Sequence, residues 1–407
     1  MVPSEALPPD GVGLAPSRRG RLVVVAGVIL AFAAAIPGCG VHQAASALGA
    51  HATAIVAAHH GNELAPELSG ADLVRLHAAA ADPDIDDVAA YVVAAGRPEV
   101  EKVDLEPRRP NGQIERGSRI DRLVDERLAE LQRAITRGAE QGTDVDQLRA
   151  LGLAAQTGAE EIIVLTSGLS STDPLDMRVS GWDRDPAGLA RDLHDRGLLP
   201  DLRGRSVTFS GLSRTAGAQP PLGLREQAAL RNQWLAICSE SGASCRTDDT
   251  VRSATPPVSR LLLPVVDVPT VTTTPGPAGV ETVSVPTPLL FAPDSCELLD
   301  GGVAAAVLEP LAARLRHGAF TVSISGRTAP VGPGDGVELA SCRANAAADL
   351  LLGTLDVPGT AISEIRGDGS LLDPLSASRD DNGRLDPTKL AALRRVVFTL
   401  IPAKESR

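Results

Sequence analysis

The chain has 407 residues, 43% of them hydrophobic and 22% charged, which is enough for roughly two or three folded domains. Its 39 basic and 51 acidic residues give a net charge of −12 at pH 7. This balance argues against nucleic acid as a partner, because phosphate binding needs a basic face or groove. It also argues against a general attraction to anionic lipid, and an aromatic content of 2% leaves few rings to stack on bases.

The first forty residues indicate export. Three arginines at positions 18, 19 and 21 precede an uncharged apolar run from Leu22 to Ile36. The run has about 15 residues, which is typical of a signal peptide, whereas a transmembrane helix needs roughly 20. It ends in Ile36-Pro37-Gly38-Cys39, which resembles a bacterial lipobox and predicts lipidation of Cys39. An uncleaved signal anchor within 1–39 and a cleaved signal peptide are the alternatives, and all three place the remaining chain outside the cytoplasm.

Residues 50–250 alternate strand-like and helix-like patterns, which predicts an α/β fold with a mainly parallel sheet. Ser69 is expected to cap one helix and Asp185 another, with Pro186 at the first position of the second. The predicted helices cover 71–80, 119–137, 148–157, 186–196 and 225–241. The predicted strands cover 52–58, 88–94, 161–166 and 206–210.

Residues 251–288 contain eight prolines among valines and threonines. Few helices tolerate so many prolines, and a central strand would lose hydrogen bonds of its ladder. The segment is therefore predicted to be an extended linker with one or two edge strands, for example at 260–268.

Residues 289–402 predict a smaller α+β unit with the order βαβαββ. Its first strand is expected to end at Phe291. The other predicted elements are helices at 299–315 and 338–352 and strands at 320–325, 361–366 and 395–401.

Export changes the expectation for the cysteines. If Cys39 carries lipid, four cysteines remain, and four allow three pairings. The simplest pairing is Cys238–Cys245 with Cys296–Cys342, because each pair then stays inside one predicted domain. Four reduced thiols are the alternative. The sequence has no CxxC pair, which argues against a thiolate zinc site.

The C-terminal unit resembles the OmpA-like peptidoglycan-associating domain, in the style of an actinobacterial envelope lipoprotein. The resemblance covers about 110 residues, a quarter of the chain. The segments that carry it are Phe291-Ala292-Pro293-Asp294-Ser295, Leu311-Ala312 with Leu315, Val322-Ser323-Ile324-Ser325-Gly326-Arg327-Thr328 and Leu339-Ala340-Ser341-Cys342-Arg343-Ala344. It implies binding of the diaminopimelate of the peptidoglycan stem peptide, with an arginine on a carboxylate and an aspartate facing the ammonium.

Arg343 matches the family arginine, and a guanidinium grips a carboxylate with two parallel hydrogen bonds. The resemblance also implies peptidoglycan-binding roles for Thr328, Asp294 and Asp335. In the OmpA-like fold, the loop after the first strand lies beside the start of the second helix. A Cys296–Cys342 bridge is therefore expected to hold Arg343 in its pocket.

The family aspartate is replaced by Ala329, which removes the anionic half of the expected site. Asp335 or Glu338, in the same loop, could replace it from a shifted position. The alternative is that Arg343 pairs with a nearby acid and the pocket no longer binds the wall.

Residues 50–250 resemble a von Willebrand A-type Rossmann module more weakly. The segments that carry this resemblance are Glu161-Ile162-Ile163-Val164-Leu165-Thr166-Ser167-Gly168 and Val207-Thr208-Phe209-Ser210-Gly211-Leu212. The metal-binding version of that module has a DxSxS motif after the first strand and a later aspartate. Here the motif is replaced by His59-His60-Gly61-Asn62-Glu63 and the aspartate by Ser167. We expect no metal, because hard cations prefer carboxylate oxygens.

These observations predict a non-catalytic, membrane-anchored envelope protein without a cofactor. Its expected partners are peptidoglycan, the membrane and an unknown protein. A scaffold that has lost wall binding is one alternative. An extracytoplasmic metal-dependent hydrolase centred on His59 and His60 is another. A serine nucleophile is not expected, because neither Ser167 nor Ser170 lies in a GxSxG motif.

Overall fold

The computed structural model of the chain describes most of the residues after position 51. The described ranges are 52–58, 60–140, 142–182, 184–248, 259, 261, 263–330, 336–370, 379–380, 382–383 and 386–403. The predicted export segment with Cys39 lies outside them, as do His59 and Asp335. Among the described residues, no helix has both the length and the apolar character needed to cross a membrane.

A six-stranded sheet occupies the first part of the chain. Its strands are β1 (Ala52–Ala57), β2 (Ala89–Ala94), β3 (Val100–Asp104), β4 (Glu161–Leu165), β5 (Ser206–Phe209) and β6 (Ser244–Thr247). The spatial order is β3-β2-β1-β4-β5-β6, and the strands are parallel except that β3 runs antiparallel to β2. The order reverses between β1 and β4, and in open α/β sheets ligands bind beyond the carboxyl ends of strands at such a point.

Helices cover both faces of this sheet. They are α1 (Gly70–Ala81), α2 (Ile120–Ala139), α3 (Gln147–Gln156), α4 (Met177–Ser180), α5 (Pro186–Asp195) and α6 (Leu224–Glu240). Strand β1 is buried along its whole length, as a central parallel strand should be. Ala54 and Val56 join the core that includes α3, α5 and α6, whereas Ile55 and Ala57 join the core with α1 and α2.

The predicted edge strand at 260–268 is wrong for the described residues of that segment, which form no strand. The segment packs against the first sheet's core through Leu263 and Val266. Backbone groups of this segment form hydrogen bonds with side-chain amides, whereas in a strand they would bond to a neighbouring strand. Asn62 donates to the Leu263 carbonyl at 2.9 Å, and Gln219 both donates to and accepts from the backbone of Val266, at 2.9 and 2.8 Å.

A five-stranded sheet forms the second part of the chain. Its strands are β7 (Thr272–Pro275), β8 (Glu281–Pro286), β9 (Phe320–Arg327), β10 (Ile362–Gly369) and β11 (Arg395–Pro402). Its helices are α7 (Gly301–Arg316), α8 (Val337–Asp349) and α9 (Pro387–Leu393). The spatial order is β10-β9-β11-β8-β7, and only the β10–β9 pair is parallel. Its core includes Val322 and Ile324 of β9 with Val396, Phe398 and Leu400 of β11.

The second sheet begins earlier than the sequence predicted. Strands β7 and β8 form a hairpin inside 251–288, and the first strand that pairs with β11 ends at Pro286 instead of Phe291. The prolines allow this because Pro275 and Pro286 stand at strand ends and β7 is an edge strand, where no ladder hydrogen bond is lost. Helix α9 is also additional to the predicted βαβαββ order.

Below, the first-sheet region means residues 52–248, and the second-sheet region means residues 272–403. Both lie within one compact unit, Ala47–Arg407.

Candidate functional site

Two glycines allow helix α8 to lie directly on the second sheet. Gly326 of β9 pairs with Gly367 of β10. A Cβ atom on Gly326 would overlap the carbonyl oxygen of Ala340, and one on Gly367 would overlap the Ser341 side chain. The small residues therefore fix the height and register of the first half of α8, which carries Arg343.

Arg343 is held at the junction between α8 and the loop 291–298. Its side chain is 2% exposed, and its Nε donates to the carbonyl oxygen of Ser295 at 2.8 Å. Its Cζ atom lies 5.7 Å from the centre of the Phe291 ring, within cation–π range. A buried guanidinium is costly without hydrogen bonds, so this contact both stabilises and orients the group.

The loop 291–298 has its own internal support. Phe291 and Leu298 form an isolated bridge, and the Ala292 amide donates to the Glu297 carbonyl at 2.8 Å. The Cys296–Cys342 disulfide then joins the loop to α8, with a Cα–Cα distance of 5.7 Å. The predicted pairing is confirmed, and the bridge lies one residue from Arg343 on the helix and one from Ser295 on the loop.

Thr328 lies just beyond the end of β9, against the start of α8. Its amide donates to the Gly369 carbonyl at 3.0 Å. Its side chain is 7% exposed, and its Oγ1 has no hydrogen-bond partner among the described residues. A Cβ on Gly336, the residue before α8, would overlap that hydroxyl, so Thr328 lies at the helix N-terminus. Arg343 follows Gly336 by about two helical turns on the same face.

The structure places the other predicted wall-site residues differently. Asp294 is exposed, has a left-handed backbone with φ 46°, and its Oδ2 accepts from the backbone amide of Asp185 at 2.9 Å. Asp335 lies outside the described residues. Glu338 lies in the first turn of α8. The contact with Asp185 was missed by sequence reasoning, because no local pattern links two residues 109 positions apart.

A second polar cluster lies beyond the carboxyl ends of β1 and β4. Glu63 is 2% exposed, and its Oε1 accepts from both the amide and the hydroxyl of Ser167. Its Oε2 lies 3.6 Å from Nδ1 of His60, whose Nε2 lies 3.1 Å from the Gly142 carbonyl oxygen. The carboxylate is therefore hydrogen-bonded to Ser167, with the imidazole of His60 close to its other oxygen.

Electrostatics agree with this arrangement. Burial disfavours ionisation of Glu63, but the nearby imidazole of His60 and the hydrogen bonds from Ser167 together outweigh burial and hold the pKa of the carboxyl below its ordinary value. The adjoining cavity, lined by Glu63, Ser167, Ser210 and Arg214 among others, measures about 20 Å³. That volume holds about one water molecule.

Within the described ranges, no group of three or more His, Cys, Asp or Glu side chains could hold a metal ion. Of the described members of the suggested hydrolase site, Glu63 is hydrogen-bonded to Ser167, and His60 lies 3.1 Å from the Gly142 carbonyl oxygen. The cluster therefore cross-links the loop after β1 to the loop after β4.

The remaining disulfide lies at the far end of the first sheet. Cys238 of α6 bonds to Cys245 of β6, with a Cα–Cα distance of 6.2 Å. Cys238 is fully buried, so this predicted pair is a structural bridge.

No family model matches the chain, and a search of curated proteins also finds no match. Solved structures do match the C-terminal third. A putative MotB-like protein from Desulfovibrio vulgaris is 26% identical, with 33% of this chain and 82% of that chain covered and a TM-score of 0.26. The T6SS cell wall anchor from Pseudomonas aeruginosa is 22% identical, with 33% and 88% covered and a TM-score of 0.26.

The peptidoglycan-associated lipoprotein from Burkholderia pseudomallei is 23% identical, with 28% of this chain and 88% of that chain covered and a TM-score of 0.22. At such TM-scores the similarity carries no argument about function. The function of the Arg343 site is therefore argued from its own residues.

Proposed function

We propose that the chain is a non-catalytic envelope protein whose second-sheet region binds peptidoglycan at Arg343. The observation that carries this proposal is the fixed, buried guanidinium at the start of α8. Its Nε bond to the Ser295 carbonyl orients the planar fork of donors that suits a carboxylate. The diaminopimelate of a stem peptide supplies such a carboxylate.

Thr328 supports the same proposal. Its buried hydroxyl has no hydrogen-bond partner among the residues that the structure describes, which costs free energy, and a ligand oxygen would supply that bond. The N-terminus of a helix also favours negative charge. The hydroxyl, the helix end and the arginine would then act on one anionic group.

The test is a pull-down of the full chain with purified diaminopimelate-type peptidoglycan. Arg343→Ala should abolish binding. Arg314→Ala is the matched control, because Arg314 also stacks on a phenylalanine ring, Phe320, at 4.8 Å, and binds Glu281 at 2.8 Å. Full binding by Arg343→Ala, or equal loss in both variants, would favour a scaffold without wall binding.

We infer that the first-sheet region is a von Willebrand A-type interaction module that does not use a metal. The order β3-β2-β1-β4-β5-β6 with an antiparallel edge strand supports the fold. The Glu63–Ser167 contact supports the second part, because these two residues, which stand at the motif positions that the resemblance assigns to metal binding, bind each other. Unchanged binding of its protein partner after chelation would agree with this proposal, and loss of binding would contradict it.

We further propose that the chain is anchored through a lipid on Cys39 and that its second domain begins near Thr272, at β7. The lipobox-like sequence before Cys39 motivates the anchor. Cys39→Ser should release the protein from the membrane fraction. Retention with an uncleaved N-terminus would instead indicate a signal anchor.

A further inference from the structure

Two contacts join the first-sheet region to the loops around the candidate wall site. The Asp185 amide donates to Oδ2 of Asp294 at 2.9 Å. The guanidinium of Arg394, which is largely buried just before β11, donates to the carbonyl oxygen of Val179. Val179 and Asp185 are thereby each hydrogen-bonded to the second-sheet region.

Asp185 is well suited to hold a carboxylate. It is the N-cap of α5, and its own side chain accepts from the Gly188 amide at 2.6 Å. Pro186 follows it and favours an extended backbone, which Asp185 adopts with φ −63° and ψ 121°. Its amide precedes the helix and is not used by it, so this amide is available to Asp294.

Asp294 stands next to the residue that orients Arg343. Ser295 follows it in the loop and accepts from the Arg343 Nε. Asp294 has one carboxylate oxygen on Asp185, and a carboxylate accepts several hydrogen bonds. Asp294 is exposed and directly precedes Ser295, so it places a negative charge on the loop whose carbonyl binds Arg343.

We propose that Asp185 is a positioning residue for the wall site, and that it fixes Asp294 as the carboxylate that receives the ammonium group of the ligand. This inference rests on the proposed function. The ligand is then a zwitterion, with its carboxylate on Arg343 and its ammonium on Asp294. The site is completed by the first-sheet region instead of being a property of the second-sheet region alone.

The test uses the full chain and two soluble stem peptides, one with the free amino group of diaminopimelate and one with that group acetylated. Asp185→Pro removes the amide and the helix cap while φ stays suitable, whereas Asp185→Ala removes only the cap. Calorimetry should show that Asp185→Pro binds the free-amine peptide with about tenfold lower affinity than Asp185→Ala does. The affinity for the acetylated peptide should be the same in both variants.

Asp294→Asn gives an independent check that does not change the first-sheet region. It should lower the affinity for the free-amine peptide relative to the acetylated peptide, as Asp185→Pro does. The double variant should show no greater loss of affinity than either single variant, because both substitutions act on one contact. Equal affinities in Asp185→Pro and Asp185→Ala, or equal weakening of both peptides by Asp185→Pro, would overturn the proposal. If the unmodified chain binds neither peptide, the proposed function itself fails and this inference falls with it.

Discussion

Each of the two sheets has a buried charged side chain among the loops at one of its ends, Glu63 at the first sheet and Arg343 at the second. The partners of the two charges differ. At the first, Oε1 of the buried Glu63 accepts from the amide and the hydroxyl of Ser167, His60 lies 3.6 Å from Oε2, and the adjoining cavity measures about 20 Å³. At the second, the buried Arg343 donates to the Ser295 carbonyl, and the Thr328 hydroxyl beside the same helix end has no partner in the described residues. We interpret the first arrangement as a structural cross-link, because Glu63 joins two loops, and we propose the second as a binding site.

The largest expected effect on stability comes from the bridge at the second site. Replacing Cys296 and Cys342 by serine should lower the free energy of unfolding by about 4 kcal/mol, because the bridge closes the longer loop. The control is the Cys238/Cys245 double serine variant, whose short loop predicts about 2.5 kcal/mol. Chemical denaturation measures both. An equal or smaller loss from the Cys296/Cys342 variant would contradict the ordering.

The next effect tests the cross-link of the first sheet. Glu63→Ala leaves His60 and the Ser167 amide buried without their carboxylate, and should cost about 3 kcal/mol of unfolding free energy. Glu99→Ala, at an exposed ion pair with Arg97, should cost less than about 1 kcal/mol. Similar values for the two variants would show that the cluster is not a cross-link.

A smaller effect is expected from restoring a carboxylate at the second site. Ala329→Asp should tighten binding of the free-amine stem peptide by about fivefold, since a second acid would share the ammonium with Asp294. A titration of the full chain measures the change. Weaker binding would mean that the ammonium does not lie near residue 329.

The smallest effect is that of mild acid on the first site. The pKa of Glu63 is lower in the folded chain than its ordinary value of 4.5, so its stabilising contribution is present above that value. The contribution is lost as pH falls through the lower, folded pKa. The contribution of Glu115 is lost in the same direction, because the Arg109 guanidinium lowers the pKa of this carboxyl to about 2.

From about pH 7 to about pH 5.5 the free energy of unfolding should therefore change little, and it should fall progressively as the pH drops below about 4.5. Glu63→Gln should flatten the steep part of that curve. An unchanged acid limb in this variant would show that Glu63 does not contribute to it.

Local patterns in the sequence predicted the elements that depend on local chemistry. Ser69 and Asp185 cap α1 and α5 as expected, and the predicted strand at 161–166 corresponds to β4. Both cysteine pairs also followed from keeping each bridge within one region. These features depend on capping, periodicity and spacing, which are visible in a single sequence.

The features that the sequence did not predict depend on contacts between distant segments. One or two edge strands were predicted within 251–288, and β7 is such a strand, but the pairing of β8 with β11 was not predicted because prolines argue against an inner strand unless they stand at its ends. The close approach of α8 needs Gly326 opposite Gly367, a pairing that only the sheet register reveals. The Asp185–Asp294 contact likewise depends on how the two regions pack.

The central claim is that Arg343 binds a carboxylate of the wall. The most direct test is calorimetric titration of the full chain with two stem peptides, one carrying the free diaminopimelate carboxylate and one carrying its carboxamide. We expect saturable binding of the free carboxylate and a large loss of affinity for the carboxamide, and this difference should disappear in Arg343→Ala but persist in Arg314→Ala. Equal affinity for the two peptides in the unmodified chain would contradict the account.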